Sequence, residues 1–326
     1  MEKIVILGSG GWGMALALVA HRKGHGVTLW SPFEEEVSNL TKTRRNDKLL
    51  RGVELPKEIN ITSDISCARD ADITIIATPS FAVPETAKKL QAIGKTGIIV
   101  NVSKGLEKGT KCRLSEVIER EVKGATVVVL SGPSHAEEVA INIPTSLVAA
   151  SKDSAAAAFV QDAFSDTALR IYTSSDVIGV ELGGALKNVI AVAAGFSDGL
   201  GLGDNTKAAL ITRGAAEIAR LGTKMGAEER TFLGLAGIGD LIVTCTSRHS
   251  RNNRFGDLVG KGISVHEALK TVGTVEGYYA TELAFSLCND LQVEMPIVKE
   301  CYRVLYENGD INDVVKNLMQ RPKTQE

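Results

Sequence analysis

Ile4-Val5-Ile6-Leu7-Gly8-Ser9-Gly10-Gly11-Trp12-Gly13 is the stretch that decides the fold. Four apolar residues, three of them β-branched, read as a short buried strand. Gly8, Gly10 and Gly13 then satisfy G-x-G-x-x-G, and Met14–His21 begins a helical pattern. Strand before and helix after are the context that gives this motif meaning. The first Gly permits a tight turn, the second lets the backbone approach a pyrophosphate, and the third lets helix pack on sheet. The helix N-terminus offers free N–H groups to phosphate oxygens. The reading is a dinucleotide site; the bland alternative is a Gly-rich turn in an α/β protein that binds no nucleotide.

Working outward, Val27–Trp30, Ile73–Ala77, Ile98–Val102 and Thr126–Leu130 are further strand-like runs. Loops such as Thr78-Pro79-Ser80, Ser103-Lys104-Gly105 and Ser131-Gly132-Pro133-Ser134 come after them. Strands alternating with helices predict a mostly parallel doubly wound sheet. Ser146–Ala150 and Leu169–Thr173 read as edge strands closing it, with a helix around Ala155–Ala158 between them.

After Asp176 the strand signal stops. Helices are expected over Val177–Ala194, Asn205–Met225, Glu228–Leu233, Arg254–Val259, Val265–Thr271, Thr281–Asp290, Pro296–Glu307 and Ile311–Leu318. The fold class is therefore α/β. A Rossmann-type dinucleotide-binding domain spans 1–175, and an all-α substrate and catalytic domain spans 176–326. The tail Arg321–Glu326 is expected to fray.

The net charge is −2, which gives no general basic footprint for nucleic acid. Cys67, Cys112, Cys245, Cys288 and Cys301 are scattered, without C-x-x-C or a Cys/His cluster. Reduced thiols in the cytoplasm are expected, with neither disulfide framework nor metal site. No leader is expected ahead of the first strand. Val177–Phe196 approaches membrane-span length, yet it contains Glu181, Lys187, Asn188 and several Gly. A buried helix without a membrane span is the expectation.

Lys187 inside that apolar run has two readings. It snorkels to the surface of a core helix, or it is a charge awaiting a ligand with which it trades protons. Asn188 either orients substrate or satisfies backbone groups. At the end of the second strand, Trp30-Ser31-Pro32-Phe33-Glu34-Glu35-Glu36 should meet the adenosine ribose. Phe33 is a candidate to lie against adenine. The three Glu disfavour a 2′-phosphate, or simply form the first turn of a helix. NAD is favoured over NADP here, with Arg44, Arg45 and Lys48 as the cations that a folded-over loop would bring.

These blocks, with others, resemble the NAD(P)-dependent glycerol-3-phosphate dehydrogenase family of bacterial type over nearly the whole chain. Beyond Gly8–Gly13 they are Ser103–Glu107, Leu130–Val139, Gly183-Gly184-Ala185-Leu186-Lys187-Asn188-Val189, Gly237-Ile238-Gly239-Asp240-Leu241, Ser250-Arg251-Asn252 and Val275-Glu276-Gly277. The resemblance implies hydride transfer between a nicotinamide and C2 of a three-carbon phosphate. Dihydroxyacetone phosphate is the ketone and sn-glycerol 3-phosphate the alcohol, which feeds glycerophospholipid synthesis. It implies Lys187 as proton donor and acceptor, with Lys104, Gly132, Ser134, Asp240, Ser250, Arg251 and Asn252 around the substrate. Gly11, Trp12, Lys104, Ala136, Arg251 and Glu276 would touch NAD or NADP. A homodimer is also a family-level expectation.

The chain departs from the family pattern at Gly11, where bacterial members often have Ser. It departs again at Pro32, in place of a basic residue or His, and at Thr274, in place of Val. Pro32 weakens the case for NADP.

The residue types suit the chemistry. Reducing a ketone leaves charge on oxygen, and a Lys aimed at it both stabilises and protonates it. Ser250-Arg251-Asn252 offers a hydroxyl, a planar fork and an amide to a phosphate, or else is part of a charged loop with Arg248 and Arg254. Lys104 and Gly132-Pro133-Ser134 come directly after strands, at the edge where ligands gather; the bland readings are a surface Lys and a turn. His135 is an alternative acid, but it precedes a helix in cap position and Lys187 fits better. A β-hydroxyacid or ketopantoate reductase, and a dinucleotide-sensing protein without catalysis, remain the competing functions.

Overall fold

The computed structural model describes residues 1–322, so all but the first two residues of the expected frayed tail lie outside the described residues. The chain forms two compact units, Met1–Glu181 and Leu182–Glu326. The first contains β1 (Lys3–Leu7), α1 (Gly11–Arg22), β2 (Gly26–Trp30), α2 (Glu34–Thr43), β3 (Asn60–Thr62), β4 (Ile73–Ile76) and α3 (Val83–Ala92). It continues with β5 (Gly97–Asn101), α4 (Leu114–Glu121), β6 (Ala125–Ser131), α5 (Ala136–Ala140), β7 (Thr145–Ala150), α6 (Ser154–Phe164) and β8 (Leu169–Ser174).

The eight strands form one sheet in the order β3-β2-β1-β4-β5-β6-β7-β8. All neighbours are parallel except β6 and β7. Strand order reverses between β1 and β4, which is where an open α/β sheet leaves a crevice at its carboxyl edge. Successive residues of β1 serve opposite faces. Ile4 and Ile6 join one apolar core; Val5 and Leu7 join the other. Helices cover both faces, so the strands read as continuous Ile/Val runs.

One expectation about strands needs correction, and one strand is not among those expected. β7 is internal, paired to β6 on one side and β8 on the other, so β8 alone closes that end. The opposite edge is β3, three residues long. Its sequence, Asn60-Ile61-Thr62, is too short and too mixed to carry a period-2 signal.

The second unit is helical. α7 (Val177–Gly199) starts in the first unit and continues into the second. After it come α8 (Gly203–Lys224), a 3-10 turn (Glu229–Leu233), a π turn (Leu235–Gly239), α9 (Asp240–Thr246) and α10 (Arg251–Gly260). The remainder is α11 (Val265–Val272), α12 (Glu276–Asp290), α13 (Pro296–Tyr306) and α14 (Asn312–Met319). The helical run Leu235–Thr246 has no counterpart among the expected helices. Its Gly and β-branched residues oppose helix on propensity, and packing overrides them.

α7 is long and apolar enough to cross a membrane, but it lies buried inside the protein as a core helix. Its glycines are explained by close neighbours. Gly195 and Gly199 face Gly256 and Gly260 of α10, and an ideal Cβ on Gly256 would stand 2.9 Å from Gly195 Cα. Backbone meets backbone, which offsets the roughly 1 kcal/mol that a mid-helix Gly costs. Near its start, Glu181 is buried. Its carboxylate accepts from Arg113 Nη1 (2.8 Å), from the Ser115 amide (2.8 Å) and from the Ser115 hydroxyl.

Candidate active site

In the first unit the Gly-rich turn joins β1 to α1. Gly8 has φ +124°, and a Cβ there would stand 2.6 Å from the Ala77 carbonyl oxygen. A Cβ at Gly13 would overlap the Gly8 carbonyl oxygen, so the helix could not sit where it does. Gly10, the N-cap of α1, faces open space, with nothing within 4 Å of an ideal Cβ. The turn is therefore a cradle whose walls require Gly and whose middle is open, which suits a pyrophosphate against the N-terminus of α1.

Gly11 is crowded instead. A Cβ there would be 2.7 Å from the Leu49 carbonyl oxygen and 3.6 Å from Ala136 Cβ. The segment between α2 and β3 thus passes close over the turn at Gly11. Trp12 packs, partly buried, against the core, as does Ala136 at the first turn of α5. His135 is the N-cap residue of α5.

At the end of β2, Phe33 is 67% exposed and Glu34, Glu35 and Glu36 form the first turn of α2. The Ser31 hydroxyl donates to Glu36 Oε2 at 2.5 Å. Arg44, in the left-handed region at φ +56°, donates to the carbonyls of Leu55, Pro56 and Ile59. Partial burial lowers its pKa from the usual guanidinium value. Arg45 is paired with Glu54 at 2.6 Å. Arg44 and Arg45, two of the three cations expected to be available for a 2′-phosphate, are thus engaged in holding their own loop.

Lys104 lies beyond β5 and Gly132–Ser134 beyond β6, both at the carboxyl edge of the parallel strands. The structure brings them together. Lys104 Nζ donates to the Gly132 carbonyl at 3.0 Å and lies 3.5 Å from Ser134 Oγ, which donates to the same carbonyl at 2.9 Å. Thr78, just beyond β4 on this edge, has a buried hydroxyl with no hydrogen-bond partner among the described residues. No motif or spacing in the chain singles it out.

In the second unit Lys187 is 6% exposed. Its ammonium does not snorkel away. It donates to Asp240 Oδ1 and, at 2.7 Å, to Thr244 Oγ1. Asp240 opens α9 and Thr244 lies one turn later, so one helix face supplies both acceptors. Thr244 is not among the expected site residues, because the sequence pattern does not reveal the helix carrying it; once α9 is drawn, the i,i+4 relation to Asp240 finds it.

Asn188 and Asn252 form a second buried group. Asn252 Nδ2 donates to Asn188 Oδ1 at 2.8 Å, and Asn252 Oδ1 accepts from the Gly277 amide at 2.9 Å. One amide thereby ties α7, α10 and the start of α12, where Glu276 is the first residue. Ser250 caps α10 by accepting from the Asn253 amide at 3.2 Å. Arg251 opens that helix, exposed, and its guanidinium has no partner among the described residues.

A family described as NAD-dependent glycerol-3-phosphate dehydrogenase matches the chain through its N-terminal part over residues 3–157 and its C-terminal part over residues 176–316. The chain is 52% identical to glycerol-3-phosphate dehydrogenase [NAD(P)+] of a Thermoanaerobacter species, over 99% of this chain and 98% of that protein. The crystal structure of glycerol-3-phosphate dehydrogenase from Coxiella burnetii superposes with a TM-score of 0.93 at 38% identity, covering 98% of this chain and 99% of that one. A ketopantoate reductase from Ralstonia eutropha shares the fold alone, with a TM-score of 0.63 at 15% identity, over 97% of this chain and 99% of that one. With both of its parts matched and its full length aligned at such identity, the chain belongs to the NAD-dependent glycerol-3-phosphate dehydrogenase family.

Proposed function

We propose that this protein is an NAD(P)-dependent glycerol-3-phosphate dehydrogenase, interconverting sn-glycerol 3-phosphate and dihydroxyacetone phosphate and feeding glycerophospholipid synthesis. The observation that carries the reading is the buried Lys187 ammonium held by Asp240 and Thr244, on the same helix as the Asn188 that anchors α10.

The nicotinamide, when bound, supplies or accepts the hydride at C2 of the substrate. The cradle Gly8, Gly10, Gly11, Trp12 and Gly13 fits the dinucleotide, with Phe33, Lys104, Ala136, Arg251 and Glu276 as further contacts. Lys187 Nζ donates a proton to the oxygen on C2 as charge develops there, and takes it back in the oxidation. Asp240 holds the ammonium in place by accepting its hydrogen bond at Oδ1. Accepting at Oδ1 leaves Asn188 its Nδ2 as a donor to substrate. Asn252 then serves the substrate by holding Asn188 and α10 in place.

Arg251, the Ser250 hydroxyl and the N-terminus of α10 receive the phosphate. Lys104, Gly132 and Ser134 complete the substrate contacts. Replacing Arg251 with Lys should raise KM for dihydroxyacetone phosphate by about tenfold or more, because a point charge replaces a bidentate fork. Turnover of unphosphorylated dihydroxyacetone, measured at saturating NADH because Arg251 is also assigned to the dinucleotide, should change far less. Steady-state kinetics on both ketones test this, and equal losses on the two would remove Arg251 from the phosphate site.

NAD is favoured over NADP. The ribose end of β2 carries three Glu, and Arg44 and Arg45 are already engaged. NADH should bind at least as tightly as NADPH when both are titrated at fixed ionic strength. A clear NADPH preference, abolished by Arg44→Ala/Arg45→Ala, would refute this and identify the loop that reads the phosphate. A homodimer in the cytoplasm completes the reading. Family resemblance supports the dimer, and the free state of all five cysteines suits a reducing compartment.

A further inference from the structure

We infer that Gly183 and the π turn Leu235–Gly239 form a positioning device for the Lys187–Asp240 pair. The inference rests on Lys187 being the proton-transferring group.

Gly183 and Lys187 lie four residues apart on α7, and so on one face. A Cβ built on Gly183 would overlap the Ala236 carbonyl oxygen and stand 3.5 Å from Gly237 Cα. The π turn therefore sits directly on the bare backbone of α7, one helical turn before the ammonium. Asp240 comes immediately after that turn and is the first residue of α9. The Gly239 amide donates to the Gly234 carbonyl at 3.2 Å, the five-residue step that defines a π turn.

The turn is clamped from its other side as well. A Cβ on Gly237 would overlap the Phe232 carbonyl oxygen, and the buried Phe232 ring lies on Gly222 of α8. Each layer of this stack closes only because a Cβ is missing. A π turn inserts one extra residue into a helix and rotates the next turn about the helix axis. Here the next residue is the carboxylate facing Lys187. Charged and titratable groups around that ammonium include Asp240 and Cys245 of α9, with the Lys207–Asp198 pair acting on Cys245 from α8 and α7. Asp240 is hydrogen-bonded to Lys187, and it is the residue that the turn carries.

Gly183→Ala should push the turn off α7 and lengthen the ammonium–carboxylate contact. Gly183 is a positioning residue, so its effect should pass through Asp240. The test is a double-mutant cycle on kcat, with NADH affinity and thermal unfolding as controls. Gly183→Ala should lower kcat about tenfold or more and displace its pH profile, while the KM for NADH holds. In an Asp240→Asn background the same substitution should change kcat by less than about twofold. Gly183→Ala/Asp240→Glu should recover part of the loss, since a longer side chain spans the wider gap. Where Gly183→Ala fails to fold, Gly237→Ala strains the same turn from its other side and is expected to show the same non-additivity. Losses that multiply in full with Asp240→Asn would overturn the inference. If Lys187→Met itself retained normal turnover, the parent reading would fall instead, which keeps the two failures distinct.

Discussion

Replacing Lys187 with Met is expected to lower kcat by about a hundredfold or more while leaving dinucleotide affinity nearly intact. A positioned acid–base group contributes roughly 10²–10⁴ in rate, and the proposed reading gives Lys187 that role. Met preserves most of the side-chain volume in an interior where Lys187 is 6% exposed, so packing is disturbed little. Removing the cation does leave Asp240 buried without it. Thr244 remains, its hydroxyl bonded to the Asp240 carbonyl at 2.6 Å. The folded state is checked by thermal unfolding, and cofactor binding by fluorescence titration of NADH. Near-normal turnover by a folded Lys187→Met protein would take the acid–base role away from this residue.

The second large effect is on stability. Arg113→Leu is expected to destabilise the protein by about 3 kcal/mol, because it strands the Glu181 carboxylate in the interior. Burial pushes the Glu181 carboxyl upward, and Ser115 and Arg113 pull it back. Without Arg113 that upward push grows. A carboxyl whose folded pKa exceeds its unfolded value contributes full stability below the ordinary carboxylate range and loses it as pH rises. The deficit of the variant relative to wild type should therefore be smaller near pH 5 than near pH 8. Urea unfolding at both values measures it. A deficit under about 0.5 kcal/mol, or one that shrinks as pH rises, would mean that the buried pair does not act as described.

Much of this is legible in the chain. Gly8 and Gly13 state their own reason, since each answers a close backbone contact, with Ala77 and with Gly8, while Gly10 between them leaves the middle of the turn open. The Ile/Val runs announce strands covered on both faces, and the apolar length of α7 announces a core helix. Lys187 stands out because a cation in such a helix needs a partner.

The hidden part depends on pairing between distant residues. Glu181 reads as an ordinary exception in an apolar run until Arg113 and Ser115 are seen to hold it. Leu235–Thr246 is not among the expected helices, since its Gly and β-branched residues oppose helix on propensity, and its seat on Gly183 is not visible in the sequence. That concealment also hides Thr244. Asn252 reads as a substrate contact from its place beside Arg251, and its bonds to Asn188 and Gly277 are not visible in the sequence. Arg44 and Arg45 look available to a phosphate in the sequence; their partners are residues 54–59, brought back by the chain's own loop.

The central claim is that the site couples hydride transfer at a ketone to recognition of its phosphate. The most direct measurement is kcat/KM of the wild-type protein with NADH for dihydroxyacetone phosphate and for dihydroxyacetone. The account predicts rapid reduction of the phosphorylated ketone and at least about a hundredfold lower kcat/KM for the other, as expected when a charge-assisted fork loses its ligand. Equal values for the two ketones, or no turnover of either, would contradict it.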